Sequence, residues 1–138
     1  MDRIFLDTNV LLDFLAARSP FDIDANKLFQ RAEIGQIQLY ASVLSICNIA
    51  YILRKVSPGA DVPRILTGLS AVVTLTPIDS NIIARALSSS FGDFEDAVQH
   101  FSALQLGTIT HLITRNPSDF ANSLIPVLTP EAYLSAPV

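Results

Sequence analysis

Cysteine is almost missing from this chain. Cys47 is the only one, which excludes an intramolecular disulfide framework and a cysteine-rich zinc site. Charge is scarce too, at 16% of 138 residues against 50% apolar. Intrinsic disorder is therefore excluded, because a disordered chain lacks the apolar surface that offsets the entropy of ordering. Basic residues thin out along the chain. Only Arg85 and Arg115 lie beyond residue 69, where six acids supply the whole net charge of −4. A globally basic nucleic-acid glove is excluded, but an enzyme whose carboxylates hold cations is not. The sequence has no G-x-G-x-x-G for a dinucleotide, no G-x-x-x-x-G-K-[ST] for a nucleotide phosphate and no G-x-S-x-G elbow for a hydrolase triad. Asp2, Arg3 and Asp7 spoil a secretory signal, so a cytoplasmic location is expected. One uncharged run, Ile34 to Leu53, is 20 residues long and could span a bilayer. Its Gly35, Gln36, Gln38, Ser42, Ser45 and Asn48 read instead as a buried strand followed by a buried helix, with no membrane partner.

What remains has the size of one domain, taken as residues 1–138. Short apolar runs alternate with helical patterns. Ile4–Leu6, Ile37–Ala41, Val72–Leu75, His111–Thr114 and Ile125–Leu128 read as strands. Helices are expected from Thr8 or Asn9 to Leu15, within Pro20–Gly35, over Val43–Val56 after a Ser42 cap, and over Val62–Ser70 after Asp61. Two more follow, one after Asp79 and one carrying the stripe Phe94, Ala97, Val98, Phe101, Leu104 up to Gly107. This alternation predicts a three-layer α/β/α fold around a mostly parallel sheet of about five strands. The mean hydropathy of +0.42 leaves apolar surface for a dimer or partner contact.

In such a sheet, ligands bind beyond the carboxyl ends of the strands. Asp7 follows the first strand and Ser42 the second. Thr114, Arg115, Asn116 and Asp119 follow the fourth, and Asp93, Glu95 and Asp96 open the helix that feeds it. Each has a plain structural reading. Asp7 can cap a helix, the three acids can complement a helix dipole, and Asp119 can belong to the Asn-Pro turn. Those readings leave unexplained why all of them fall on one edge. Ser42, Ser45 and Asn48 add a polar stripe, spaced by three, on an otherwise apolar helix. Crowded carboxylates repel unless a cation neutralises them. Oxygen donors without thiols suit Mg²⁺ or Mn²⁺, and such an ion supplies the chemistry of phosphodiester hydrolysis.

Four segments in this order resemble the PIN-domain family of metal-dependent nucleases over nearly the whole length. They are IFLDTNVLLDFL, SVLSICNIAYILRK, DFEDAVQHFSAL and LITRNPSDF. The resemblance implies that Asp7 and Asp96 hold the ion, with Asp119 completing the set and Thr8 and Thr114 orienting ligands or a water. Two positions depart from the family pattern, because Asn48 stands where the second motif has Glu and Asn116 stands at the acid position after Thr114. Asp119, Asp93 or Glu95 would compensate if they point inward. Small PIN proteins are commonly ribonuclease toxins of toxin–antitoxin pairs, the VapC type. The resemblance therefore implies an RNA substrate, a cognate antitoxin that inserts a basic side chain among the acids, and a homodimer.

The alternative is a catalytically weak PIN fold acting as an RNA-binding or protein-interaction module. A phosphotransfer domain with Asp7 as nucleophile is disfavoured, since Asn9 breaks the D-x-D-x-T pairing. Arg54, Lys55 and Arg115 are candidates for phosphate contacts, or an ordinary solvated surface. His100 is either an added ligand or, as the expected reading, a solvent-facing or hydrogen-bonded histidine. Tyr40 and Tyr51 are expected in the core, with base stacking as the other option, and Cys47 is expected to be buried.

Overall fold

The computed structural model describes residues 1–136. The chain runs β1 (Asp2–Leu6), α1 (Thr8–Leu15), α2 (Asp22–Glu33), β2 (Ile37–Ser42), α3 (Val43–Val56), α4 (Val62–Val72) and β3 (Val73–Thr76). It continues with α5 (Ser80–Leu87), α6 (Phe94–Leu106), β4 (His111–Ile113), a 3-10 turn (Pro117–Phe120), β5 (Val127–Leu128) and α7 (Pro130–Ser135). The five strands form one sheet in the order β3-β2-β1-β4-β5, and every pairing is parallel. The strand pattern is therefore as expected. The short α7 and the 3-10 turn lie beyond what the apolar periodicity indicated.

Alternation along the strands sends side chains to two cores. Ile4 and Leu6 of β1 face a core shared with α1, α2, α3, α4 and α7, whereas Phe5 joins Tyr40, Leu112, Ala103 and Phe120 on the α6 side. Covering both faces of a parallel sheet this way makes the strands continuous apolar runs. Each large aliphatic side chain fully withdrawn from water contributes about 1.5–3 kcal/mol.

Local signals set the helix ends. Ser42 accepts a hydrogen bond from the Ser45 amide, Asp61 from Arg64, Asp79 from Ile82 and Asp93 from Asp96. Each satisfies an amide that the first helical turn would otherwise leave open. Gly107 closes α6 at φ 76°, a left-handed conformation that costs glycine nothing. Asp7 occupies the same cap position before α1 but makes no side-chain cap bond. Its carboxylate is directed elsewhere.

The chain winds from β1 outward to β3, then returns to lay β4 on the opposite side of β1. That reversal opens a crevice between the carboxyl ends of β1 and β4, the position where sheets of this kind bind ligands.

Candidate functional site

Asp7 stands at the head of this crevice and is buried. Thr114, just past β4, donates from Oγ1 to Asp7 Oδ2 at 2.8 Å, and Gln99 of α6 donates from Nε2 to Oδ1 at 3.1 Å. Gln99 is held in turn by Ser45, whose Oγ donates to Oε1 at 3.5 Å, while the Ser45 and Thr8 hydroxyls lie 2.7 Å apart. A continuous polar chain therefore runs from α1 through α3 and α6 to the ends of β1 and β4. Asp7 carries its charge at a cost. Burial raises its pKa, while the Thr114 and Gln99 donors and the Thr8 amide offset part of that rise.

A cavity of about 500 Å³ opens beside Asp7, lined by Thr8, Asn48, Tyr51, Asp93, Glu95, Asp96, Gln99 and Asp119 among others. An adjoining hollow of about 370 Å³ shares Asp93, Asp96 and Asp119 with it. Five carboxylates thus border one space. Asp96, half-buried, is pushed up to about 7 by its burial first and then by Asp93, Asp7, Asp119 and Glu95. A carboxyl raised this far by burial and by its four carboxylate neighbours is one that a cation would relieve.

The donors are all oxygen, which fits a hard divalent ion such as Mg²⁺ or Mn²⁺. Among the described residues, no three His, Cys, Asp or Glu side chains already stand together as a ready ligand set. The fit is therefore one of donor chemistry and charge, with Asp7, Asp96 and Asp119 among the five carboxylates that border the cavity.

Other residues singled out from the sequence have separate places. Asn48 is at the cavity, and its Nδ2 donates to Glu95 Oε2 at 3.4 Å. A carboxylate therefore sits against the position where the family pattern has Glu. Asn116 is exposed at the start of the 3-10 turn, outside the lining, and its amide donates to Thr114 Oγ1 at 3.1 Å. Ser42 is fully buried and spends its oxygen on the α3 cap. Arg54 and Lys55 are exposed at the end of α3.

Arg115 points away from the cavity. Its Nε lies 2.8 Å from Asp13 Oδ2, Arg18 holds the other oxygen of that buried carboxylate at 2.9 Å, and the Arg115 guanidinium covers the Phe21 ring at 4.0 Å. An Arg so engaged is a structural tie between α1 and the loop after β4, not a free phosphate contact.

His100 is buried, and its Nε2 accepts from the Leu124 amide at 3.0 Å. Burial holds its pKa down to about 4, so it is a neutral hydrogen-bonded histidine. Two expectations are corrected. Cys47 is exposed and Tyr51 is 61% exposed, because α3 buries only the face carrying Ser45, Ile49 and Leu53. Tyr40 is buried as expected.

Gln99 was not singled out from the sequence, although its spacing of three from Asp96 puts both on neighbouring turns of one helix face. Tyr51 likewise extends the spacing of Ser42, Ser45 and Asn48 by one further step.

The PIN-domain family profile matches residues 3–118. Among solved structures, the chain is similar to one described as a toxin-antitoxin complex from Klebsiella pneumoniae. They share 25% identity with a TM-score of 0.68, over 92% of this chain and 97% of that one. VapBC2 from Rickettsia felis, bound to a DNA fragment from its promoter, shares 12% identity with a TM-score of 0.66 over 92% and 98%. Mycobacterium tuberculosis VapC20, described as a sarcin-ricin loop cleaving toxin, shares 16% identity with a TM-score of 0.63 over 79% and 86%. These last two likenesses are of fold. No curated protein matches the sequence.

Proposed function

The chain belongs to the PIN-domain family, and from that premise we propose that it is a divalent-metal-dependent endoribonuclease, the toxin of a type II toxin–antitoxin pair. The observation that carries this reading is the cavity at the ends of β1 and β4, bordered by Asp7, Asp96 and Asp119 with Asp93 and Glu95 beside them. The similarity to a toxin-antitoxin complex at 25% identity supports the biological setting. A small antitoxin is accordingly the proposed protein partner, and a cytoplasmic homodimer the proposed working form.

In this reading Asp7, Asp96 and Asp119 hold a Mg²⁺ or Mn²⁺ ion. When bound there, such an ion lowers the pKa of a water and neutralises phosphate charge. The chain's own residues do the positioning. Thr114 and Gln99 fix both oxygens of Asp7, so the carboxylate does not have to be ordered when substrate arrives. Thr8, tied to Ser45, presents a hydroxyl at the cavity wall. Glu95 restores next to Asn48 the negative charge that an amide lacks.

A second reading, an RNA-binding or protein-interaction module without turnover, is favoured by one observation: Asn48 and Asn116 stand where the family pattern has acids. The two readings separate in one experiment. A long structured RNA is incubated with Mg²⁺ or Mn²⁺, and in parallel with EDTA, using the natural chain, Asp7→Asn, Asp96→Asn and Asn48→Glu. Cleavage by the natural chain that EDTA and either Asp substitution abolish is the expected result. Silence of the natural chain with activity in Asn48→Glu would give the module reading. Cleavage that survives both Asp substitutions would remove the site assignment.

A further inference from the structure

The mouth of the acidic cavity carries one aromatic side chain, Tyr51, at 61% exposure. Lys55, one helical turn on, sets its Nζ 4.5 Å from the centre of the Tyr51 ring. The ammonium lies over the ring, and most of the Tyr51 surface stays open to solvent. Among the described residues, Lys55 has no carboxylate partner, and ion pairs are confined to Asp13 with Arg18 and Arg115.

A single-stranded polynucleotide needs two things from a protein: a ring for an unstacked base and a cation for the adjoining phosphate. In a protein of net charge −4 with five carboxylates at its site, a phosphate backbone is repelled unless a local cation receives it. Lys55 and Tyr51 supply cation and ring together at the edge of that field.

We propose that Tyr51 and Lys55 form a base-stacking clamp that admits an unpaired nucleotide of single-stranded RNA and sets its phosphate at the cavity mouth. The inference rests on the ribonuclease reading and deepens it, by naming Tyr51 and Lys55 as the residues that hold an unpaired nucleotide at the cavity mouth. A paired base has both faces occupied within its helix and cannot use the ring.

The test exploits composition. The chain has no Trp and three Tyr, and Tyr40 and Tyr133 are buried, so a base stacking on Tyr51 quenches tyrosine emission directly. A single-stranded oligoribonucleotide of about eight nucleotides is titrated into the Asp96→Asn protein in Mg²⁺, with a duplex of the same strand as the control. Quenching by the single strand alone is expected. Adding Tyr51→Ala should raise Kd by about 5- to 100-fold, while Tyr51→Phe stays within about threefold of its parent because the ring remains. Lys55→Ala should weaken binding and lower the salt dependence by about one phosphate contact. Tyr51 lies on an exposed helix face, so thermal unfolding of the variants should match the parent.

Unchanged affinity in Tyr51→Ala, or binding without quenching, would overturn the clamp. Loss of self-association in Tyr51→Ala with RNA binding intact would make this surface a protein interface and also overturn it. If neither the single strand nor the duplex binds and the natural chain cleaves no RNA, the ribonuclease reading fails and takes the clamp with it. RNA cleavage that is indifferent to Tyr51→Ala sinks only the clamp.

Discussion

Thr114 Oγ1 donates to Asp7 Oδ2 at 2.8 Å, joining the ends of β1 and β4 across 107 positions of sequence. Both side chains are buried, so neither can exchange this bond for water. Replacing Thr114 by valine preserves shape and deletes the donor. It also deprives the Asn116 amide of its acceptor. Leaving buried groups unpaired in this way should cost about 1–3 kcal/mol. Urea unfolding of Thr114→Val at neutral pH measures this, and stability equal to the natural chain would show that the bond is not a determinant.

Gln99 holds the other oxygen of Asp7. Gln99→Glu would place a second carboxylate against a buried one whose pKa burial already raises. In EDTA at pH 8 the variant should unfold several degrees lower than the natural chain, and excess Mg²⁺ or Mn²⁺ should recover most of the loss. Gln99→Leu removes the donor without adding charge, so its loss should not respond to metal. Thermal scans with and without the ion separate the two.

The Asp96 carboxyl, pushed up to about 7 from an ordinary 3.8, makes stability depend on pH. The folded state holds this proton more tightly than the unfolded state does. The contribution is therefore fully present below about pH 4 and is lost as the pH rises toward 7. Asp96→Asn lacks this loss, so its melting temperature should exceed that of the natural chain by a widening margin from pH 4 to 7.5 in metal-free buffer. His100 works in the opposite direction. Its pKa is held down to about 4, so its contribution falls as the pH drops from 6.5 toward 4. Comparing variant and natural chain at each pH cancels that background. A margin that does not change with pH would contradict the Asp96 assignment.

Asp13 is buried and holds Arg18 and Arg115 together. Asp13→Ala leaves two partly exposed cations without their partner and should destabilise the protein by about 1–3 kcal/mol, below the cost of stranding a fully buried charge. Asp13→Asn, which keeps the shape and one acceptor, should cost less. Denaturant midpoints of the two variants check the order.

The alternation of apolar runs with helical periods was enough to read the five strands, and the caps at Ser42, Asp61 and Asp79 marked where helices begin. Asp7 shows the limit of that local reading. Its place before α1 is that of an ordinary cap, and only the packing of α6 and β4 around it shows that its oxygens serve Gln99 and Thr114. Arg115 shows the same limit in reverse. In sequence it is a free cation beside a motif, and in the fold Asp13 has claimed it. Cys47 and Tyr51 sit in an apolar run that reads as buried, yet α3 buries only part of its circumference.

Periodicity and chain order by themselves determined the layered parallel fold and gathered the acids at one edge, because the apolar face of each element must be covered and parallel strands bring their carboxyl ends to the same side. Tertiary structure alone decided which acids share a cavity, which cations remain unpaired and which aromatic reaches the rim. Hydrogen bonding, desolvation and exposure depend on neighbours far apart in the chain, and no local pattern specifies those.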